Sequence, residues 1–109
     1  MTALAQEHCR ALRGAEHRLE PQQMQALLEQ LSGWQIEGQR LVRDFRFPDY
    51  KATIFFVNSV ACLAERENHH PDLEVGYRHV KVAYTTHDVG GLSRNDFICA
   101  AKLQELIAT

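Results

Sequence analysis

The spacing of apolar residues along the chain divides most of it into helical and extended stretches. Spacings of three and four residues indicate a helix with one buried face, and spacings of two indicate a strand. The chain contains three helical patterns and four extended ones. In chain order these patterns cover residues 21–33, 34–37, 40–47, 49–68, 73–77, 80–86 and 94–107. The predicted order of elements is therefore α-β-β-α-β-β-α.

Start and stop signals support the three helices. Pro21 suits the first position of a helix, and Pro71 prevents the second helix from continuing. Ser93 and Asp96 match the capping-box pattern before the third helix. The side chains expected to form the buried helix faces are Met24, Leu27, Leu28, Leu31, Ala52, Phe55, Phe56, Val60, Leu63, Ala64, Ala100, Leu103 and Ile107.

Short connections within each strand pair favour an antiparallel sheet, and three one-sided helices can cover one face of it. The sequence thus predicts an α+β fold, a two-layer sandwich of a four-stranded antiparallel sheet with three helices on one face. Residues 1–19 lack a long apolar stripe and are predicted to form an N-terminal arm, with the folded domain at 20–109. A free sheet face or edge would favour a homo-oligomer.

Composition narrows the class of protein. The 109 residues suit one domain, and 45% apolar and 24% charged residues are ordinary for a globular protein. A net charge of -2 favours neither nucleic acid nor an anionic membrane as a partner. The cysteines Cys9, Cys62 and Cys99 are far apart and indicate reduced thiols in a cytoplasmic protein. Neither a signal peptide nor a membrane span is predicted, and Cys62 is expected in the core.

Three histidines are candidates for acid–base chemistry. His69 and His70 end the second helix, and His87 ends the fourth strand. If the last two strands pair, both segments reach one end of the sheet. Imidazole changes its charge near neutral pH, which suits proton transfer.

Other roles remain open for these residues. A histidine at a helix end is often only a cation that complements the helix dipole. Three histidines and a carboxylate could bind zinc, although adjacent histidines rarely face one metal. Asp96 is explained by capping alone. His79 is expected to face solvent in the turn between the last two strands.

The spaced motif formed by Glu65, His69-His70-Pro71, Tyr77, His87 and Asp96 resembles that of the pterin-4a-carbinolamine dehydratases, also known as the dimerisation cofactor of a hepatocyte transcription factor. The resemblance covers roughly residues 20–107. The arm is similar to that of bacterial members associated with phenylalanine hydroxylase. Two positions depart from the pattern: Asn68 replaces an aspartate, and Leu73 replaces an aromatic residue.

The resemblance implies a dehydratase that converts 4a-hydroxytetrahydrobiopterin to quinonoid dihydrobiopterin and water. This reaction would support pterin recycling for aromatic amino-acid hydroxylation. The implied catalytic residues are His69, His70, His87 and Glu65; the implied substrate-binding residues are Asn68, Thr85, Thr86, Asp88 and Trp34, with Asp96 in support.

The same resemblance implies the partners. A pterin substrate, a homodimer or homotetramer and a functional link to phenylalanine hydroxylase are expected. No cofactor is expected, and the charge and the residue spacing discussed above predict no nucleic acid, membrane or metal as a partner. The alternative function is a binding or assembly module that acts as a protein partner.

Overall fold

The computed structural model of the chain describes residues 3–107. The helices are α1 (Pro21–Leu28), α2 (Tyr50–Glu67) and α3 (Arg94–Leu106). The strands are β1 (Gln35–Glu37), β2 (Arg40–Arg46), β3 (Asp72–Val75) and β4 (His79–Tyr84). Single 3-10 turns occur at Leu4–Gln6, Ala15–His17 and His87–Val89. Residues 1–2 of the predicted arm and 108–109 of the predicted domain lie outside the described residues.

The four strands form one antiparallel sheet in the order β1-β2-β4-β3. Leu41 pairs with Tyr84 and Phe45 with Val80, so these apolar side chains share one face of the sheet. The helices pack on that face, and their contributions to the core include Leu27 from α1, Phe56, Val60 and Leu63 from α2, and Phe97, Ala100 and Leu103 from α3. The predicted α+β two-layer fold and its element order are confirmed.

Both ends of α2 follow from local chemistry. The Asp49 carboxylate accepts a hydrogen bond from the backbone N–H of Ala52 at 2.8 Å, which caps the start of the helix. The helix ends at Glu67, and Asn68 adopts the left-handed conformation with φ 52° and ψ 44°. Asparagine tolerates this conformation better than most residues. The turn at Asn68 carries His69 and His70 out of the helical direction.

Several predictions about burial are wrong. Phe55 is 63% exposed, and Ile107 and Cys62 are also exposed. Thr53, which is not part of the predicted apolar face, is buried. Phe55 and Cys62 are seven residues apart and therefore share the side of α2 that faces away from the sheet. His79 is not in a turn facing solvent, because it pairs with Arg46 as the first residue of β4 and is half-buried.

The arm packs against the helices. Leu4 belongs to the hydrophobic core, and the Lys102 ammonium donates to the Ala5 carbonyl at 2.7 Å. The Arg94 guanidinium, at the start of α3, donates two hydrogen bonds of 2.7 Å to the Glu7 carboxylate. Within residues 3–107, none of the helices combines the length and apolar character needed to cross a membrane.

Candidate active site

A shallow cleft of about 260 Å³ lies where β4 finishes and α2 ends. It joins segments that are distant in sequence, because the antiparallel β4 runs back towards the end of α2. The residues that line it are Asn68, His69, His70, Thr85, Thr86, His87 and Asp88. The structure thus brings together all three predicted histidines and most of the predicted substrate-binding residues.

His69 is the most tightly held of the histidines. Its side chain is only 11% exposed, and its Nε2 lies 2.6 Å from Oδ1 of the fully buried Asp96. Its ring stacks on Tyr84, with 5.8 Å between ring centroids and 7° between planes. Because the carboxylate can only accept, Nε2 carries the proton in this bond and Nδ1 is the remaining nitrogen of the ring. This contact leaves Nδ1 as the ring nitrogen that can accept a proton.

Asp96 joins the cap of α3 to the site. Its second oxygen, Oδ2, accepts hydrogen bonds from the Thr86 hydroxyl at 2.8 Å and from the Ser93 backbone N–H at 2.9 Å. The capping box expected for Ser93 and Asp96 is present. The contact with His69 was not expected, because capping alone explained Asp96 in the sequence. No local pattern indicates this contact, which joins residues 27 positions apart.

Tyr84 forms the wall behind His69 and was missed by the sequence analysis. Burial raises the pKa of its phenol, and the nearby Cys99, Cys9 and Asp96 raise it further. The phenol therefore stays neutral, and its hydroxyl has no hydrogen-bond partner among residues 3–107. Tyr84 supports the His69 ring rather than exchanging a proton.

His70 and His87 stand in more open surroundings. The His70 Nε2 donates to Oε2 of Glu65 at 2.6 Å, with 55% and 80% of the two side chains exposed. A pair so exposed to water orients the ring but adds little stability. His87 is exposed in the 3-10 turn that follows β4, which Gly90 ends with φ 75°. The three imidazole rings thus differ widely in their exposure to water.

Comparison with known proteins identifies the family. The family model for pterin 4 alpha carbinolamine dehydratase matches residues 17–106. The chain belongs to the pterin-4a-carbinolamine dehydratase family. A provisionally named pterin-4-alpha-carbinolamine dehydratase of Xanthomonas oryzae pv. oryzae (strain PXO99A) is 53% identical over 105 residues, covering 94% of this chain and 89% of the relative. A similarly named protein of Xanthomonas euvesicatoria pv. vesicatoria (strain 85-10) is 52% identical with the same coverage.

Two solved structures share this fold. A crystal structure of a transcriptional coactivator/pterin dehydratase from Brucella melitensis has a TM-score of 0.78 and 32% identity, covering 82% of this chain and 97% of that one. A pterin dehydratase-like RuBisCO assembly factor of the alpha-carboxysome shares the fold, with a TM-score of 0.58, 23% identity, and coverage of 70% of this chain and 88% of that one.

The threonines expected to bind the pterin also hold the site together. The Thr85 hydroxyl donates to the Gln39 carbonyl at 2.7 Å, and the Thr86 hydroxyl is committed to Asp96. A neighbouring hollow of about 380 Å³ shares Thr85 and His87 with the cleft and adds the charged residues Arg40 and Asp72. The cleft can therefore accommodate a ligand that extends past Thr85.

Trp34 is the predicted pterin-binding residue that the structure does not bring to the cleft. It precedes β1, and its side chain is buried against Phe45 and Tyr84, at 5.7 and 6.2 Å between ring centroids. Side chains alternate between the two sheet faces, and this one lies on the face covered by helices. Trp34 contacts Tyr84, which in turn stacks on His69.

A buried carboxylate behind the site was also missed. Glu67 follows Val60, Leu63 and Ala64 at helical spacing, so its place on the buried face of α2 could have been found from the sequence. Burial alone would raise its pKa, but the Cys9 backbone N–H, the His8 side chain and Lys102 lower the pKa below its ordinary value. Glu67 thereby attaches the arm two residues before His69.

The donor side chains do not form a metal centre in the described part of the chain. Within residues 3–107, no three histidine, cysteine, aspartate or glutamate side chains form a group that could hold a metal ion.

Proposed function

We propose that this member of the family removes water from 4a-hydroxytetrahydrobiopterin to give quinonoid dihydrobiopterin. The observation that carries the proposal is the cleft in which His69, His70 and His87 meet, with His69 held by the buried Asp96. Family membership supports a pterin as the class of substrate.

The reaction needs one proton donor and one proton acceptor. The bond between C4a and the hydroxyl oxygen breaks, and that oxygen leaves as water after it takes a proton. The adjacent ring nitrogen loses its proton and forms a double bond to C4a. The proton given to the hydroxyl oxygen is thus balanced by the proton taken from the ring nitrogen, and no oxidant or reductant is consumed. Imidazole side chains suit both steps near neutral pH.

The surroundings of the histidines support a division of roles. We assign His69 as the base, because Asp96 occupies its Nε2 and leaves Nδ1 to accept the ring proton. We assign His70 as the acid at the 4a hydroxyl, with Glu65 orienting its ring. The exposed His87 approaches from the end of β4 and would position the pterin between the two.

Polar groups around the cleft would bind the flat pterin. Asn68 and Asp88 lie at opposite ends of the lining segments and would pair with ring N–H groups and carbonyls. The product, a quinonoid dihydropterin, is a substrate for a reductase, so the reaction would link aromatic amino-acid hydroxylation, including that of phenylalanine, to pterin reduction.

The test is an absorbance assay that follows dehydration of synthetic 4a-hydroxytetrahydrobiopterin. The wild-type chain should accelerate the loss of substrate well above the uncatalysed rate, and a variant with His69, His70 and His87 all replaced by alanine should not. Equal rates for the two proteins, both folded, would exclude the proposed reaction.

A second candidate function is a protein partner or assembly module. The relative from Brucella melitensis is described as a transcriptional coactivator as well as a pterin dehydratase. Exposed aromatic residues on this chain, Tyr50, Phe55 and Tyr77, favour protein contact. A chain that acts only as a partner would show no turnover in the dehydration assay, whereas a protein with both roles would show turnover and binding.

A further inference from the structure

Two cysteine thiols face one another where the arm meets α3. The Sγ atoms of Cys9 and Cys99 are 3.4 Å apart, although the residues are 90 positions apart in sequence. Cys9 is half-buried in the arm, and Cys99 is fully buried in α3. The dehydration proposed above uses neither thiol.

Backbone contacts on both sides of Cys9 hold the pair in place. The Cys9 N–H donates to the Glu67 carboxylate at 2.8 Å, and the Arg10 N–H donates to Oδ1 of Asn95 at 3.1 Å. The Asn95 side-chain amide donates in return to the Arg10 carbonyl at 2.6 Å. Asn95 is one turn of α3 before Cys99, so the arm is held close to the buried thiol.

We propose that Cys9 and Cys99 form a reversible disulfide that fastens the arm to α3 when the protein meets a thiol oxidant. A disulfide has a sulfur–sulfur distance of about 2.0 Å, so the two atoms need to approach by roughly 1.4 Å. Rotation of the two side chains, with a small shift of the arm, can supply that movement. The chemical class of the co-reactant is a peroxide or a low-molecular-weight disulfide.

The order of the chemical steps follows from how easily an oxidant can reach each thiol. Cys9 is the thiol that an oxidant reaches, because Cys99 is buried behind it. The hydrogen bond to Cys9 and burial raise the pKa of the Cys99 thiol, so Cys99 stays protonated while Cys9 reacts. The thiolate is the reactive form of a cysteine, so its raised pKa makes Cys99 a poor first site of attack.

With hydrogen peroxide the atoms and electrons balance in two steps. The Cys9 sulfur attacks one peroxide oxygen, the O–O bond breaks, and the other oxygen leaves as water, which gives a sulfenic acid. The Cys99 sulfur then attacks the Cys9 sulfur while its thiol proton passes to the sulfenic oxygen, the S–O bond breaks, and that oxygen leaves as a second water. Two thiols are oxidised to one disulfide, and one peroxide is reduced to two waters.

The disulfide would act on the wall of the cleft as well as on the arm. Cys99 and Tyr84 belong to one buried core cluster, Cys9 packs against that cluster, and Tyr84 stacks on His69. A covalent bond at this point would join the arm, α3 and the support of His69. The proposal does not depend on the identity of the substrate.

The test uses the full chain with the exposed third cysteine replaced, Cys62→Ser, so that bonds between molecules do not interfere. The reduced protein is treated with hydrogen peroxide or with oxidised glutathione and then digested with trypsin without reductant. Cleavage after Arg10, Arg94 and Lys102 should release peptides 1–10 and 95–102 joined by a disulfide, and the intact protein should lose 2 Da. Thiol titration should fall from two groups to none.

Thermal melts measure how much the disulfide between Cys9 and Cys99 stabilises the fold. A cross-link over so long a loop restricts the unfolded chain, so the melting temperature should rise by about 5 °C or more and return after reduction. The matched control, Cys9→Ser in the same background, should show no such rise. Two thiols left intact, oxidation of Cys9 to a sulfinic acid without the linked peptide, or a linked peptide without a higher melting temperature would each overturn the proposal.

Discussion

His69 and His70 are neighbours in sequence but have different surroundings. Both follow the end of α2 at Glu67, and the ring of His69 enters the protein whereas that of His70 remains near water. The His69 ring contacts Asp96 and Tyr84. Among residues 3–107, the ring nitrogens of His70 hydrogen-bond only to the exposed Glu65. In the proposed reaction, this difference would let two identical side chains perform different steps.

Replacing His70 tests the proposed acid. We expect His70→Ala to lower kcat by about 10² or more, the usual scale for losing a general acid or base. The matched control is His79→Ala, because His79 begins β4 and lies five residues, roughly 17 Å, from Tyr84 at the end of the strand. Steady-state kinetics of both variants measure the effect. Near-normal turnover by His70→Ala would contradict the assignment, and an inactive His79→Ala would place the site elsewhere.

Replacing Asp96 separates its contact with His69 from its capping role. We expect Asp96→Asn to lower kcat by about 10²-fold, because an amide need not select the same ring nitrogen of His69 for protonation. It should also destabilise the fold by about 1–3 kcal/mol, since the carboxylate is buried with several donors.

The control for Asp96 is Ser93→Ala, which removes the other half of the capping box without touching His69. It should cost about 1 kcal/mol of stability and leave kcat nearly unchanged. Thermal melts and kinetics below the melting temperature give both quantities. Equal losses of kcat in the two variants would show that the loss follows from weakening the cap.

At the scale of secondary-structure elements, the arm connects the segments that carry the site. Glu67, two residues before His69, hydrogen-bonds to the arm. Asn95, one residue before Asp96, does the same. The Gly14 N–H donates to the carbonyl of Asp88, beside His87. The arm therefore contacts each of the three segments that supply the cleft and its support.

Acid should weaken these contacts. The pKa of Glu67 lies below its ordinary value near 4.5 in the folded chain, mainly because its hydrogen bonds outweigh the opposing effect of burial, and that of Glu7 is lowered mainly by the hydrogen bond from Arg94. A lowered carboxyl pKa means that the stabilisation is complete above about pH 4.5 and is lost as the pH falls further. Melting temperatures between pH 7 and pH 3 should show this loss.

Glu67→Gln isolates the contribution of one carboxylate. At pH 7 the variant should be about 2 kcal/mol less stable than the wild type, because the amide replaces a buried charged acceptor. The difference should shrink below pH 4.5, where the wild-type carboxylate becomes protonated. The exposed Glu29→Gln serves as the control and should match the wild type at each pH. A pH-independent difference for Glu67→Gln would contradict the linkage.

At the scale of the whole molecule, apolar side chains remain on the surface. Tyr50 and Tyr77 stack on each other, with 5.9 Å between ring centroids, and Phe55 and Val75 are exposed nearby in sequence. Val75 belongs to β3, which is an edge strand of the sheet and pairs only with β4 among the described strands. An exposed edge strand and an apolar helix surface favour association with another chain.

We therefore expect a homodimer or homotetramer. Light scattering at micromolar concentration should give two or four times the chain mass of 12.5 kDa. Phe55→Glu should shift the mass towards that of a smaller species, because it places a charge on the exposed side of α2. The exposed polar position Gln25→Glu in α1, away from this side of α2, is the control for added charge. A wild-type mass of 12.5 kDa would contradict the prediction.

The order of helices and strands follows from the sequence because periodicity and caps act over a few residues. The alternation around Val80, the apolar spacing around Val60 and the Ser93 cap each predicted an element that the structure contains. Short connections then favoured antiparallel pairing, and the positions of His69 and His87 at element ends predicted that they would meet. These inferences need only local propensity and simple topology.

The tertiary structure decided which side of each element is buried and which distant groups touch. Phe55 was predicted to be buried but is exposed, and Thr53 is buried, because the buried side of α2 is set by its fit to the sheet and not by hydrophobicity alone. The contacts of Asp96 with His69, and of Cys9 with Cys99, join residues 27 and 90 positions apart. No local pattern records such contacts, because they arise only when separate elements pack together.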